Sequence, residues 1–204
     1  GTVTRNPDKT AYAHGETVTL TAAPAEGYVF SGWGGGLSGS ANPATITITA
    51  DQTVTADFAA NAYTLAVTAP NAAVTIEPQK SEYAYGETVT LTIAAASGYS
   101  FVSWSGGLTG SANPATLVMD GSKSVTAHCA ANAYALQVNA ANGSVVRSPD
   151  QASYDYNTAV TLSASPQEGY HFSGWSGDLS GKDNPATVTM DTAKTVTANF
   201  ALNS

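Results

Sequence analysis

Apolar and polar side chains alternate strictly in several short runs of this chain. In Glu16–Ala22, Val18, Leu20 and Ala22 point one way while Thr17, Thr19 and Thr21 point the other. Ala44–Thr49 alternates Ile46 and Ile48 with threonine, and Thr53–Phe58 sets Val54, Ala56 and Phe58 on one face. A period of two in short runs rich in Val, Ile and Thr predicts half-buried antiparallel strands. Breakers separate the runs at Asn6–Asp8, His14-Gly15, Pro24–Gly27, Gly34–Pro43 and Asp51-Gln52. No stretch carries an apolar stripe of helical period. The expected class is all-β, with about five or six short strands in each complete unit of a small sandwich or open barrel.

The pattern repeats. Trp33, Trp104 and Trp175 are 71 residues apart (104 − 33 and 175 − 104). The same step relates Pro43, Pro114 and Pro185, and Gly27, Gly98 and Gly169, with no gap needed. Self-similarity at a fixed period marks an array of equivalent units. A unit of this size is near the smallest that buries its own core, so separate domains with close junctions are expected rather than a solenoid. Boundaries at Ala59–Ala62, Ala130–Ala133 and Ala201–Ser204 give repeats 1–62, 63–133 and 134–204. Gly1 aligns with Ala72 and Gly143, so repeat 1 lacks the counterpart of Tyr63–Asn71 and Tyr134–Asn142, its first strand. A cut from a longer array would explain both ends. Linkers of four residues span at most about 14 Å between domains about 30 Å across, which predicts a semi-stiff rod.

Composition narrows the function. Charged residues are 11% and the hydrophobic set 43%, unlike a disordered tail. Seven Lys plus Arg against fifteen Asp plus Glu give a net charge of −8, with no basic cluster, so nucleic-acid binding is not expected. No apolar run reaches the roughly 20 residues that span a bilayer. The chain opens at Gly1 without Met or a leader pattern, as a mature product or excised piece would. Cys129 is the single cysteine, which excludes an internal disulfide or a Cys-based metal site.

Candidate chemistry is sparse. The block GYVFSGWGGGLSG (Gly27–Gly39) recurs at Gly98–Gly110 and Gly169–Gly181. Its indoles, Trp33, Trp104 and Trp175, are the candidate ligand-binding residues, since flat rings stack on sugars. The competing and preferred role is filling, because each aromatic ring buries roughly 150–250 Å². On that basis Tyr28, Phe30, Tyr99, Phe101, Tyr170 and Phe172 are expected as core anchors, with Tyr28 and Phe30 on one face. Asn-Pro-Ala-Thr, at Asn42–Thr45, Asn113–Thr116 and Asn184–Thr187, reads as a loop-to-strand entry. Asp178, Asp183 and Asp191 suggest calcium, but they do not recur together in the other repeats. His14, His128 and His171 fall at three different repeat positions and form no catalytic pattern. The Thr-x-Thr faces suit β propensity better than a flat ice-binding ladder. Cys129 stands where the other repeats have Phe58 and Phe200, which predicts an underfilled core and makes repeat 2 the least stable.

The order Tyr-x-Leu-x-Val, Gly-Glu-Thr-Val-Thr-Leu, Gly-Tyr-x-Phe-x-x-Trp, Asn-Pro-Ala-Thr and Thr-Val-Thr-Ala-x-Phe resembles the bacterial repeat domain related to the internalin B-repeat, the Listeria–Bacteroides repeat group. The resemblance spans all three copies. It implies a β-grasp-like fold with a helix, whereas the periodicity here gives strands throughout. It also implies a secreted or wall-associated bacterial protein with no catalytic residue and no cofactor. The expected function is therefore a non-catalytic extracellular spacer, with assembly into a filament through exposed strand edges as a variant. A carbohydrate- or host-surface-binding adhesion module is the alternative. Expected partners are neighbouring repeats or protomers, or glycans and cell wall, without membrane insertion.

Overall fold

The computed structural model describes residues 1–204 and contains strands but no helix. Repeat 1 holds β1 (Thr2–Asn6), β2 (Thr17–Ala23), β3 (Tyr28–Gly35), β4 (Ala44–Thr47) and β5 (Val54–Ala60). Then come β6 (Ala62–Tyr63), β7 (Leu65–Thr68), β8 (Ala72–Glu77), β9 (Tyr83–Ala84), β10 (Glu87–Ala95), β11 (Tyr99–Gly106), β12 (Ala115–Met119) and β13 (Lys123–Ala131). The last set is β14 (Ala133–Tyr134), β15 (Leu136–Ala140), β16 (Gly143–Ser148), β17 (Tyr154–Asp155), β18 (Thr158–Pro166), β19 (Tyr170–Gly177), β20 (Ala186–Met190) and β21 (Lys194–Leu202).

Repeat 3 displays the complete plan. One sheet has the order β16-β18-β20, antiparallel throughout, and the other has the order β15-β21-β19. Alternation on β18 sends Val160, Leu162 and Ala164 inward, where they meet Trp175 from β19, Val188 and Met190 from β20, and Val196 and Ala198 from β21. The core thus lies between two three-stranded sheets, a small sandwich. Each fully buried Val or Leu in it contributes roughly 1.5–3 kcal/mol. A two-stranded pair, β14 with β17, brings in Tyr154, whose hydroxyl donates to the carbonyl of Pro149 at 3.0 Å. Repeat 2 has the same two sheets, β8-β10-β12 and β7-β13-β11, and the same small pair, β6 with β9. The alternation visible in sequence made the strands legible. The helix implied by the family resemblance is absent, because no segment carries an apolar stripe of helical period.

Three features differ from the sequence reading. The opening strands are parallel to their partners, not antiparallel: Leu65 faces Lys123 and Val67 faces Val125, as Leu136 faces Lys194 and Val138 faces Val196. The first strand of a repeat therefore completes a sheet begun by the last. Second, β3 runs through Gly34 to Gly35, where a turn was expected, because Gly34 and Gly35 still pair with Thr55 and Val54. Third, a bulge between Phe30 and Gly32 breaks strict alternation. The extra residue turns the strand so that Phe30 and Trp33, three apart, both meet the repeat-1 core.

The chain forms two compact units. One contains Gly1–Thr68, Val74–Thr92 and Trp104–Thr126; the other contains Ala69–Ala73, Ile93–Ser103 and Ala127–Ser204. The division runs through repeat 2, not along the repeat boundaries. Parts of repeat 2 are accordingly grouped with each neighbour.

Candidate functional site: the inter-repeat junctions

The three indoles lie inside. Trp33, Trp104 and Trp175 are 5%, 3% and 5% exposed. Each ring N–H donates at 2.8 Å to a loop carbonyl, of Ala41, Ala112 and Asp183 respectively. Phe30 and Phe172 pack on Trp33 and Trp175 with ring centroids 4.9 and 5.1 Å apart. With one edge hydrogen-bonded and the faces covered, the indoles offer no platform for a sugar, so the ligand-binding assignment of Trp33, Trp104 and Trp175 is corrected. The indole also pins the glycine-rich loop back onto its own strand, where the Trp33 backbone N–H meets the Gly39 carbonyl at 2.8 Å.

The tyrosines of the same block are not core anchors. Tyr28 is 43% exposed, and Tyr99 and Tyr170 are only half-buried. Tyr28 does share a face with Phe30, but it sits at the end of β3 opposite Ala60, beside the linker and beyond the core. Phe101 is half-buried, like Phe30 and Phe172. The tyrosines that do fill the interior are Tyr83 and Tyr154, 2% and 1% exposed. They were legible in principle, since the same 71-residue step relates them to Tyr12.

The remaining polar candidates have local duties. Asp178 accepts from the Thr195 backbone N–H at 2.7 Å, and Asp191 pairs with Lys194 at 2.5 Å. The Lys194 ammonium holds the Asp191 carboxyl below its ordinary value. Asn42 and Asn184 each make two bonds to one backbone position: Asn42 Oδ1 accepts from Ala22 N–H at 2.9 Å while Nδ2 donates to the Ala22 carbonyl at 2.7 Å. The pair Asn184–Ala164 repeats this at 2.9 and 2.8 Å. The side-chain amide thus acts as one extra residue of a neighbouring strand. This gives the Asn-Pro motif a physical role.

The junctions carry the most organised polar geometry outside the cores. Asn61, in the first linker, donates its N–H to the Gly27 carbonyl of repeat 1 at 2.8 Å. Its own carbonyl accepts from the Tyr85 N–H of repeat 2 at 3.2 Å. Asn132 does the same between Gly98 and Tyr156, both bonds 2.8 Å. Each linker asparagine is therefore a backbone staple between consecutive repeats. A ring completes the contact: any Cβ on Gly27 would run into the Tyr85 ring, and any Cβ on Gly98 into the Tyr156 ring. Both glycines also have positive φ, +76° and +78°, a second reason for glycine there. Tyr156 meets Tyr99 edge-on, with centroids 5.9 Å apart. Burial, then the Glu26 carboxylate of repeat 1, raises the Tyr85 hydroxyl above its ordinary pKa. Sequence reading missed this role because Tyr85 and Tyr156 correspond to His14 in repeat 1, which hides the recurrence.

Within residues 1–62 the second sheet is β3 with β5. A groove of about 770 Å³ runs beside it, walled by Tyr12, Val18, Leu20, Ile48 and Val54, with Arg5 at its side.

Helix-free sandwiches in tandem, joined by short stapled linkers, define the class as a modular β repeat. The chain belongs to the divergent InlB B-repeat domain family, whose sequence profile matches residues 1–62, 63–133 and 134–204. Repeats of this family are generally non-enzymatic and occur in bacterial surface proteins. No curated protein matches the chain in sequence.

Proposed function

We propose that this chain is a non-catalytic spacer of an extracellular bacterial surface or secreted protein, and that it acts by holding consecutive repeats in a fixed mutual arrangement. The observation that carries this reading is the paired junction. At Asn61 and again at Asn132, one residue bonds backward and forward at once, and a tyrosine ring from the later repeat rests on a glycine of the earlier one. A flexible linker would leave those backbone groups to water. Here they are satisfied between repeats, and the ring contact adds apolar burial. A spacer needs both properties, because a load-bearing or projecting segment is only as stiff as its joints.

The test is a spin-label distance measurement between repeats 1 and 2. Labels at Thr45→Cys and Thr116→Cys, in a Cys129→Ser background, report one narrow distribution if the junction is fixed. Tyr85→Ala should broaden it while each repeat keeps its strand signature. A distribution already as broad in the unmutated chain as in Tyr85→Ala contradicts the spacer reading.

A further inference from the structure

Asn142 and Gly143 are neighbours for two unrelated structural reasons. Asn142 ends the turn from β15 to β16 with φ +66°, a left-handed conformation that asparagine adopts more readily than most residues. Gly143 opens β16 beneath Phe200, whose ring would stand 2.5 Å from any Cβ added there. Folding thus selects an Asn-Gly pair, and no other asparagine of the chain precedes glycine. Repeat 2 builds the same turn with Asn71, at φ +57°, but follows it with Ala72.

The pair is chemically special. The backbone nitrogen after an asparagine can reach its side-chain amide carbon by closing a five-membered ring. Glycine hinders that closure least, since it has no Cβ and the widest backbone freedom. Several observations leave the Gly143 nitrogen available. β16 is an edge strand, in the order β16-β18-β20. The Asn142 carbonyl accepts from Gln167 N–H at 3.0 Å, and Gly143 stands opposite Pro166. Bonded and non-bonded positions alternate along an antiparallel ladder, so the Gly143 N–H points away from β18. The Asn142 side chain is exposed. An open hollow of about 290 Å³, lined by Gly143, Ser144, Ser165, Pro166 and Gln167, brings water to the same backbone.

We propose that Asn142-Gly143 is a self-modification site, at which repeat 3 converts its own side-chain amide into an acid. The Gly143 nitrogen gives its proton to solvent and bonds to Asn142 Cγ. The Cγ–Nδ2 bond breaks, ammonia leaves with a proton from water, and a succinimide ring remains. Water then opens the ring. Cleavage at Cγ gives aspartate, whereas cleavage at the main-chain carbonyl gives isoaspartate. The sum is one water consumed and one ammonia released, with no change of oxidation state. Either product adds a carboxylate to the turn. The isoaspartyl product also routes the main chain through Cβ and Cγ, one atom longer, and detaches the carbonyl that Gln167 holds. Loss of ammonia makes the change one-way, so it marks the age of the chain. The site belongs to repeat 3 alone and does not depend on the spacer reading.

The test holds the intact 204-residue chain folded in mildly alkaline buffer, digests it in acid and maps the products by mass spectrometry, with chromatographic separation of the two acids. The expected result is progressive conversion at Asn142, with isoaspartate among the products, about tenfold or more faster than at Asn71. Gly143→Ala would overpack against Phe200, so the deciding variant is Ala72→Gly. It gives repeat 2 the same pair and should bring Asn71 to the rate of Asn142. Equal rates at Asn71 and Asn142 in the parent chain overturn the proposal, as does an Ala72→Gly chain in which Asn71 stays slow. Conversion at Asn142 in urea but not in the folded chain also overturns it, because the fold would then protect the pair.

Discussion

Gly143 lies directly beneath the ring of Phe200: a Cβ built on Gly143 would stand 2.5 Å from the ring carbon Cζ. Gly1 is related to Phe58 in the same way. At these two positions repeat 2 has Ala72 and Cys129. Where the ring is lost, the glycine that made room for it is lost as well. Sequence reading treated Cys129 alone and expected an underfilled core; the Ala72 methyl offsets part of that volume. Cys129 is half-buried, as Phe58 and Phe200 are.

The pairing makes a double-mutant prediction. Cys129→Phe alone should destabilise repeat 2 by about 1–3 kcal/mol through overpacking against Ala72. Adding Ala72→Gly should recover most of that loss, with a coupling above about 0.5 kcal/mol. Gly143→Ala should destabilise repeat 3 by overpacking. Urea unfolding of five chains, the parent, Cys129→Phe, Ala72→Gly, the double variant and Gly143→Ala, measures these effects, and strict additivity of the pair would contradict the account.

Asn42 and Asn184 extend a strand with a side chain. Replacing Asn184 by Ala leaves the N–H and C=O of buried Ala164 without those bonds. The cost should be about 1–3 kcal/mol, since unmet backbone groups are more expensive than the mean hydrogen bond. Asn42→Ala should behave alike at Ala22. Thermal unfolding of either variant tests this, and an unchanged midpoint would oppose it.

Glu16 and Glu87 are paired with Lys9 and Lys80 and accept from the backbone of Ala13 and Ala84. The lysine, then the backbone N–H, lowers each carboxyl below its ordinary value of 4.5. A depressed acid stabilises the fold above the unfolded value and loses that contribution as pH falls through the folded one. Stability should therefore decline below about pH 4.5, and Glu16→Gln with Glu87→Gln should flatten that part of the profile. The measurement is denaturation midpoint against pH, with an unchanged slope as the contrary result.

Tyr85 works at the other end of the scale. Its raised pKa means that the protonated ring is favoured at the junction, so its contribution is present below the ordinary value of 10.0 and is lost as pH climbs through the raised value. The link between repeats 1 and 2 should loosen in strong alkali in the parent chain. Tyr85→Phe should abolish that dependence. Fluorescence anisotropy of a label on repeat 1 distinguishes the two, and identical alkaline profiles would count against the contact.

How much was legible follows from the physics of each feature. Strands β2, β4 and β5 could be read because Val18, Leu20, Ile46 and Val54 alternate with threonine, and burial of one face enforces that pattern. The parallel opening strand could not, because alternation sets a face but carries no direction. The bulge before Trp33 was hidden, since one extra residue leaves no compositional mark. The junction was invisible for another reason: Asn61 acts through its backbone, and every residue type except proline has an N–H and a carbonyl. Only the glycine beneath Tyr85 leaves a trace in sequence, and glycine has many uses.

Amide hydrogen exchange at Tyr85 and Tyr156 tests the stapled junction most directly, because those two N–H groups donate to the linker carbonyls of Asn61 and Asn132. The account predicts protection comparable with amides inside β10 and β18. Exchange at the rate of the exposed glycine loops would mean that consecutive repeats are hinged, and the fixed-joint account would be wrong.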